Sequence, residues 1–216
     1  MLRSLAVSRL AGNPNLNLEI RSTKTGKRVA DYPESLKGQF LMAMPGLMDP
    51  NFYQTVVCLS EHTHDGAVGI VINRPHPTLQ AEAIFNELGI GHEEEIGQSP
   101  IFLGGPVHIS EVFILHGQPF DATVSLEITP QLAMSTTREV LERIALGEGP
   151  EMFLISLGCA GWGPGQLEEE IQQNAWLTCE SDANLLFGVP VEQRWDYAIR
   201  KLGIDPSLLS DAAGHA

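Results

Sequence analysis

Residues 152–176 have the sequence MFLISLGCAGWGPGQLEEEIQQNAW, in which an apolar run is followed by a glycine-rich segment and then a polar segment with helical spacing. The run at residues 152–157 is typical of a short strand buried on both faces. Four glycines within residues 158–165 predict a tight loop, because glycine adopts positive φ angles without steric penalty. Leu167 and Ile171 are one helical turn apart and predict a helix. The stretch therefore predicts a strand, a tight loop and a helix in succession.

A glycine-rich turn that leads into a helix can also bind phosphate, because the first N–H groups of a helix attract anions. The glycine spacing here matches neither G-x-G-x-x-G nor G-x-x-x-x-G-K-S/T. Glu168, Glu169 and Glu170 follow directly, and three carboxylates would repel a phosphate group. We therefore expect a packing turn between strand and helix rather than a nucleotide-binding loop.

The composition favours a globular protein and disfavours nucleic acid as a partner. The chain has 216 residues, 43% of them hydrophobic, which is enough for one large domain or two small ones. Its 13 basic and 27 acidic residues give a net charge of −14, and this charge repels a phosphate backbone. Seven of the basic residues fall within residues 1–37. The rest of the chain is thus more acidic still, and direct binding of nucleic acid is not expected.

The sequence also predicts a cytoplasmic protein without membrane association. No apolar run reaches the roughly 18 residues that span a bilayer, and residues 1–17 lack the pattern of a secretory signal. The cysteines are odd in number, Cys58, Cys159 and Cys179, and each lies in or beside an apolar run. This arrangement indicates reduced, buried thiols rather than disulfides.

Two parts are predicted along the chain. Residues 1–36 are polar and lack sustained periodicity, so we expect a flexible arm that orders only on a partner. Residues 37–216 are expected to form one domain in which short strands arrive in groups between isolated helices. Strands are predicted at residues 40–44, 55–60, 67–73, 101–103, 112–115, 123–128, 152–157 and 175–179. The second and third of these strands are expected to form a hairpin, and the fourth and fifth to flank a turn at residues 104–106.

Three more helices carry signals at their ends. Thr78 is predicted to cap a helix that ends at Gly89. Thr136 and Glu139 form a capping box for the next helix. Pro190 is predicted at the first position of the last helix. Grouped strands with separate helices indicate the α+β class, with a mixed or partly closed sheet.

Six motifs in a fixed order give the chain a resemblance to a known family. They are GQFLMAMPGLMDPNF at residues 38–52, EHTHDGAVGIVINRP at 61–75, LGGP at 103–106, FILH at 113–116, MSTTREVLE at 134–142 and LGCAGWGPGQLEEEIQQNAWL at 157–177. With these motifs the chain resembles the YqgE/AlgH family of bacterial proteins over about its last 180 residues.

The resemblance implies a single compact α+β domain, with a mixed, partly barrel-like sheet of short strands flanked by helices. Members are largely uncharacterised, and the AlgH branch is described as a candidate transcriptional regulator of alginate synthesis. The family brings no shared catalytic residue. This chain departs from it in the arm at residues 1–36 and in Cys159, where related sequences commonly carry tyrosine.

His62 and His64 are candidate metal ligands, because residues two apart in an extended chain point to one side. Glu61 and Asp65 add carboxylates nearby. A tetrahedral site needs three or four converging ligands, and a third would have to come from elsewhere, such as His116. The ordinary polar residues of a hairpin turn are therefore favoured, and neither a metal nor another cofactor is expected.

Cys159 and Arg74 are further candidates for chemistry. A cysteine nucleophile needs a lowered pKa, but Cys159 has no basic side chain near it in sequence, which favours a packed thiol. Arg74 is isolated within a long acidic span. It fits either a structural ion pair or the anchor of an anionic ligand.

Two functions remain open on the sequence. The first is a non-catalytic interaction or regulatory module with an unknown protein partner, since no catalytic constellation is recognisable. The second is a small-molecule binder or an enzyme, with a pocket lined by Arg74, Gly104, Gly105 and Trp162. Trp162 itself is expected to have a packing role, because its neighbouring glycines have no side chains that could fix the turn.

Overall fold

The structure is a computed structural model that describes residues 35–209. Its strands are β1 Gln39–Ala43, β2 Val56–Thr63, β3 Gly66–Val71, β4 Pro75–Gln80, β5 Pro100–Leu103, β6 Val107–His116, β7 Leu126–Thr129, β8 Leu132–Ser135, β9 Phe153–Trp162 and β10 Trp176–Glu180. Its α-helices are α1 Ala81–Leu88, α2 Glu94–Gly97, α3 Arg138–Ala145, α4 Gln166–Gln172 and α5 Arg194–Lys201. A π-helical turn covers Asn184–Gly188. The predicted arm lies outside the described residues, apart from Ser35 and Leu36.

The strands form one extended sheet in the order β10-β1-β2-β3-β9-β6-β8-β7. β5 pairs with β9 in parallel. β4 pairs with β5, and this pairing and all the others are antiparallel. Separate helices around a largely antiparallel sheet confirm the α+β class. The sheet does not close into a barrel, because none of the described pairings joins β7 to β10.

The sheet curls so that its two ends approach each other. Gly38, just before β1, has a φ of 79°, and a Cβ on it would lie 2.8 Å from the methyl carbon of Thr129 in β7. It would lie 3.5 Å from the carbonyl oxygen of Ile128. We call this approach of the β1–β10 end to the β7–β8 end the seam. It accounts for the barrel-like aspect of a sheet that stays open.

The inner face of the curled sheet carries the largest apolar cluster. Phe40 of β1, Leu115 of β6 and Leu132 of β8 are buried there, together with Trp195 and Ile199 of α5. Strands from both ends of the sheet thus contribute to a single core. Burial of this shared apolar surface favours the curled shape.

The outer face is covered in two separate places. Helices α1 and α3 pack Phe85 and Leu141 against β5, β6 and β9. Helix α4 and the segment at residues 44–54 cover β1, β2 and β3, with Leu167, Trp162 and Trp176 in that cluster. The second of these places contains residues from three of the six motifs on which the family resemblance rests, those at 38–52, 61–75 and 157–177.

The prediction of a glycine-rich loop after residue 157 is wrong in its extent, because β9 continues through Trp162. Gly158 has a φ of 75°, and a Cβ there would lie 2.6 Å from the carbonyl oxygen of Gly105 and 3.2 Å from the Cα of Ile109. The neighbouring backbone therefore approaches too closely for a side chain. Only residues 163–165 form the turn before α4.

The β2–β3 hairpin is confirmed, whereas several local signals were misleading. Thr78 lies within β4, and the residue before α1 is Gln80, which makes no side-chain cap. The cap of α3 is Thr137, not Thr136, and its hydroxyl accepts from the Val140 N–H. Pro190 precedes a short 3-10 turn instead of opening α5. In each case the sequence carries a helix-start signal, but the helix begins one or more residues after the predicted position, because a strand or a turn occupies the residues before it.

Strands β5 and β6 do not form a hairpin with each other around residues 104–106. Both pair with β9, β5 in parallel and β6 antiparallel. Each of the two strands is therefore hydrogen-bonded to the buried central strand β9. Within residues 35–209, no helix combines the length and the apolar composition that a membrane span needs.

Candidate functional site

Arg74 follows β3 and holds the segment at residues 49–54 in place. Its Nη1 donates to the carbonyl oxygen of Pro50 at 2.7 Å, and its Nη2 donates to that of Tyr53 at 2.8 Å. Partial burial lowers the pKa of the guanidinium, and the charge of Asp49 raises it in part. No carboxylate of the described residues lies within salt-bridge distance of Arg74. Its structural partners are thus carbonyl groups, while the role of anion anchor stays a prediction.

Asn73 holds the end of the same segment. Its amide nitrogen donates to the carbonyl oxygen of Gln54 at 2.8 Å, and its amide oxygen accepts from the Val56 N–H at 2.8 Å. Asn73 and Arg74 therefore satisfy backbone groups between Pro50 and Val56 through their side chains. The sequence Asn-Arg-Pro after a buried strand thus positions the Asp-Pro-Asn-Phe segment.

Phe52 fixes the middle of this segment in an aromatic cluster. Its ring stacks 6.2 Å from Trp162 and meets Trp176 edge-on at 5.4 Å, and the two indoles are 5.8 Å apart. Trp162 is only 6% exposed. Burial among aromatic rings is what a packing role for Trp162 requires.

Glu170 of α4 joins the two indoles through its carboxylate. Its Oε2 accepts from Nε1 of Trp162 at 3.0 Å and from Nε1 of Trp176 at 2.7 Å. Its Oε1 accepts from the amide of Gln166 at 2.9 Å, and the oxygen of that amide accepts from the Gly163 N–H. Glu170 thus serves packing, and its carboxylate is engaged in hydrogen bonds rather than available for chemistry.

Exposed apolar side chains lie beside the segment that Arg74 holds, at the end of β5 and at the start of β6. Met48, directly before the segment that Arg74 holds, is 88% exposed, and Tyr53 within that segment is 47% exposed. Leu103 at the end of β5 is 42% exposed, and its N–H donates to the Arg74 carbonyl oxygen at 2.8 Å. Val107 and Ile109 follow at the start of β6 and are also exposed. We call Met48, Tyr53, Leu103, Val107 and Ile109 the Arg74 surface.

A bulge in β6 presents Ile109. Val107 pairs with Cys159 and Val112 with Leu157, so β6 advances by five residues where β9 advances by two. The extra residues bulge outward, and Ile109 is 67% exposed. A large apolar side chain is therefore displayed on an irregular strand next to a closely packed glycine backbone.

Gly104 and Gly105, the predicted pocket glycines, are packed against protein instead. The Gly104 N–H donates to Leu157, and its carbonyl oxygen accepts from the Val71 N–H. A Cβ on Gly105 would overlap the backbone of Cys159. The two glycines let this turn cross β9 closely. Arg74 and Trp162 contact different parts of the segment at residues 49–54, so the structure brings the four residues to one region without converging side chains.

The two candidate metal-binding histidines have different environments. His62 is buried, its Nδ1 accepts from the Leu36 N–H at 2.9 Å, and its Nε2 lies 2.9 Å from a Glu168 carboxylate oxygen. Because Nδ1 is an acceptor, the proton of the neutral ring is on Nε2, which donates to Glu168. Both nitrogens of His62 are thus engaged. His64 is exposed on the turn and lies 3.3 Å from Asp65.

No group of three metal-ligating side chains occurs within the described part of the chain. His116, the suggested third ligand, is buried, with Nδ1 2.8 Å from the Gly117 carbonyl oxygen and Nε2 3.0 Å from the Ser125 hydroxyl. Burial lowers the pKa of His116, although the hydrogen bond to Gly117 opposes this shift. The lowered pKa favours the neutral form of His116, whose two ring nitrogens both have hydrogen-bond partners.

The three cysteines are buried and free. Burial raises the pKa of Cys58 to about 12. Burial, assisted by the charge of Glu111, raises the pKa of Cys159 to about 11. A nucleophilic cysteine needs the opposite shift, so the environment of Cys159 favours an unreactive thiol.

Arg194 was missed by the sequence reasoning, although it is buried. Its Nε donates to the Val189 carbonyl oxygen at 3.1 Å, its Nη1 donates to that of Ile72, and its guanidinium lies 5.6 Å from the Phe102 ring centroid. Desolvation lowers its pKa to about 10 against the opposing charge of Glu192. Position 194 falls on the apolar face of α5, three residues after Val191, and this spacing was the signal that could have revealed it.

A cavity of about 420 Å³ lies at the seam, away from the Arg74 surface. Polar side chains on its wall come from both ends of the sheet, and Lys201 of α5 pairs with Asp182 at 3.0 Å. The cavity contains none of the predicted pocket residues. Its wall includes Thr129, Gln131, Leu132, Glu180, Asp182 and Lys201.

Comparison with known families matches residues 40–207 to a model described as AlgH-like. A UPF0301 protein of Desulforapulum autotrophicum is 49% identical over 181 residues, covering 84% of this chain and 96% of the relative. A UPF0301 protein of Ralstonia nicotianae is 45% identical over 187 residues, covering 86% of this chain and 98% of the relative. The similarity thus extends over nearly the whole length of these relatives.

Solved structures give the same result for the fold. The solution structure of the AlgH protein from Pseudomonas aeruginosa superimposes with a TM-score of 0.70 at 46% identity, covering 87% of this chain and 100% of that one. A crystal structure of a protein from Corynebacterium diphtheriae gives a TM-score of 0.63 at 20% identity, covering 79% of this chain and 89% of that one. The second likeness concerns the fold alone.

Proposed function

The chain belongs to the AlgH-like family, and from that premise we propose that it is a non-catalytic interaction module that binds a protein partner through the Arg74 surface. The observation that supports this most is the concentration of exposed apolar side chains. Of the ten large apolar side chains exposed within residues 35–209, five belong to the Arg74 surface. Scattered exposed apolar residues are ordinary, whereas clustered ones are typical of binding sites.

The way the surface is built supports the same function. Arg74 and Asn73 hold the backbone of residues 49–56 through four hydrogen bonds, and Phe52 anchors it in the aromatic cluster. A segment that is ordered before binding loses less conformational entropy on binding. Tyrosine and methionine are also enriched at protein interfaces. Rigid support beneath exposed Met48 and Tyr53 therefore suits recognition.

The negative charge of the molecule favours a partner whose binding surface is basic. Residues 35–209 contain seven Lys and Arg against 23 Asp and Glu. A partner with an apolar patch rimmed by basic side chains would be attracted, and an acidic one repelled. Any influence on transcription would then act through a bound protein rather than through DNA. Three free, buried cysteines suit the reducing cytoplasm, where we place this interaction.

Affinity capture with matched variants tests the proposal. The wild-type chain, Ile109→Asp and Leu208→Asp are immobilised, and each is exposed to a lysate of the organism that encodes the chain. Leu208 is the control because it is 79% exposed but lies outside the Arg74 surface. Both variants add the same charge. We expect one protein to be retained by the wild type and by Leu208→Asp, to be lost with Ile109→Asp, and to elute at raised salt.

Retention of the same proteins by all three chains would contradict the proposal. So would a partner lost equally from both variants, because added negative charge alone would then explain the loss. The melting temperature of each variant shows whether Ile109→Asp is folded.

The cavity at the seam favours a second function, the binding of a small molecule.

A further inference from the structure

The cavity at the seam occupies the place where an open, curled sheet fails to close. One wall comes from the β7–β8 turn, with Thr129 and Gln131, and the other follows β10, with Glu180 and Asp182. Its volume of about 420 Å³ is within the usual range for small-molecule sites. Such sites are frequent at the mouths of barrel-like sheets. A ligand here would contact both ends of the sheet.

Charged groups on the wall favour a cation. Asp182 accepts from the Lys201 ammonium at 3.0 Å and from the Asn184 N–H at 2.8 Å. Glu180 makes no salt bridge with any residue that the structure describes. Two carboxylates and one ammonium group therefore line the cavity, and that ammonium is already paired with Asp182. A ligand that supplies positive charge would balance the wall, whereas an anion would meet a surplus of negative charge.

The same cavity also has an apolar part. Leu132 of β8 and Leu186 of the π-helical turn line it and belong to the core cluster beneath. Hydroxyl and amide groups of Thr129 and Gln131 stand at the opposite rim. A short alkyl chain would be buried against the leucines, with its ammonium group directed at a carboxylate.

From this combination we propose that the seam cavity binds a small aliphatic amine, with its ammonium group on Glu180 and its alkyl chain on Leu132 and Leu186. The site is separate from the Arg74 surface and does not depend on the proposed protein interaction. Failure of either proposal leaves the other intact. Binding would link the β1–β10 end to the β7–β8 end and so stabilise the curled sheet.

Titration calorimetry with 1,4-diaminobutane tests the site. Two compounds of the same chain length serve as controls, neutral 1,4-butanediol and the dianion succinate, at matched ionic strength. We expect saturable binding of the diamine and none of the controls. Glu180→Gln should weaken diamine binding severalfold and no more, since Glu180 is exposed and a solvent-exposed ion pair contributes modestly. Glu127→Gln is the matched variant, because Glu127 is an exposed β7 carboxylate outside the cavity, and it should bind as the wild type does.

Lys201→Met gives a second variant with an opposite expectation. Removing the ammonium frees Asp182, so diamine binding should tighten. An anion site would instead lose affinity. Melting temperatures without ligand show that each variant is folded.

Three results would overturn the proposal. One is the absence of saturable diamine binding at millimolar concentration. Another is equal weakening by Glu127→Gln and Glu180→Gln, which would show general attraction to an acidic surface. The third is succinate binding that disappears with Lys201→Met.

Discussion

At the scale of single residues, Glu170 joins the two tryptophans of the motif at residues 157–177. Its carboxylate accepts hydrogen bonds from two tryptophan side chains. Trp162 and Trp176 belong to different strands, β9 and β10, so one helical side chain links both to α4. A buried indole N–H needs an acceptor, and this need explains a glutamate at position 170.

Replacement of Glu170 by alanine should destabilise the fold measurably. Two indole N–H groups would lose their acceptor, and we expect the free energy of unfolding to fall by about 2 kcal/mol. Glu169→Ala is the control, since Glu169 is exposed and makes no side-chain hydrogen bond within the described residues; it should change the value by less than about 1 kcal/mol. Urea unfolding followed by tryptophan fluorescence measures both. Equal losses would show that the carboxylate does not support the indoles.

Cys58 should make stability depend on pH in the alkaline range. Burial raises its pKa from 9.0 to about 12. Above pH 9 the unfolded chain loses the thiol proton while the folded chain keeps it, so the free energy of unfolding declines as pH rises. Below pH 9 both states keep the proton and the contribution is constant. The stability difference between wild type and Cys58→Ala, measured in urea at pH 8 and pH 11, should therefore shift against the wild type at the higher pH.

A pH-independent difference between wild type and Cys58→Ala would contradict a buried thiol. Cys159→Ala provides a parallel comparison, because burial also raises the pKa of Cys159, to about 11. It should show the same direction of change.

Residue roles were predictable where the neighbours in sequence set them. Trp162 lies among glycines, and this context predicted a packing role that agrees with its 6% exposure. Partners distant in sequence could not be foreseen. Arg74 binds the carbonyl groups of Pro50 and Tyr53, and Arg194 that of Ile72, which are contacts that only the tertiary fold brings together.

At the scale of elements, β9 organises the molecule. It pairs with β3, β5 and β6, and its glycines let the turn after β5 and the bulge of β6 approach its backbone. The Arg74 surface depends on this arrangement, because Leu103, Val107 and Ile109 all flank the turn that crosses β9. The central strand thus determines where the exposed apolar groups lie.

Arg74→Gln should loosen the segment at residues 49–54. Glutamine is shorter and cannot donate to both the Pro50 and the Tyr53 carbonyl oxygens, so we expect chymotrypsin to cleave after Tyr53 about tenfold faster, equivalent to about 1.4 kcal/mol of lost protection. Arg143→Gln is the matched control, because exposed Arg143 makes one long hydrogen bond, 3.3 Å, to Glu148. Mass spectrometry of the fragments locates the cut.

An unchanged cleavage rate in Arg74→Gln would show that Asn73 and Phe52 suffice to hold the segment. Equal acceleration in both variants would point to a general loss of stability. Either result would contradict the role of Arg74 as the residue that holds the segment in place.

The sequence predicted whether a segment is a helix or a strand more reliably than it predicted where the segment begins and ends. The β2–β3 hairpin and the helices around Phe85, Leu141 and Ile199 follow from apolar periodicity. The prediction for the glycine-rich segment was wrong in extent because glycine occurs both in turns and in strands that pack closely against another backbone. Sequence alone does not separate the two, since the answer depends on which backbone passes over Gly158.

At the scale of the whole molecule, charge and curvature determine what the protein can bind. Its net charge is −14, and its sheet forms a curled but open layer with a cavity at the seam. The α+β class was predictable from grouped strands and separate helices. The seam was not, because Gly38 and Thr129 are far apart in sequence and meet only when the sheet curls.

The acidic molecule should not bind duplex DNA specifically. Its charge repels the phosphate backbone, and the described helices include no recognisable reading helix paired with a supporting one. Gel-shift assays at physiological salt should show no retardation at nanomolar protein with DNA from the promoter regions of the source organism. Sequence-dependent binding at that concentration would contradict an indirect role in regulation.

The central claim, that the Arg74 surface is a protein-binding site, is tested most directly by site-specific photo-crosslinking in living cells of the source organism. A photoreactive phenylalanine analogue replaces Ile109 in one strain and Leu208 in another, since both side chains are exposed but only the first belongs to the surface. Position 109 is predicted to give a covalent adduct of one defined mass after irradiation, with no such adduct at position 208. The absence of any adduct at position 109, or the same adducts at both positions, would contradict the claim.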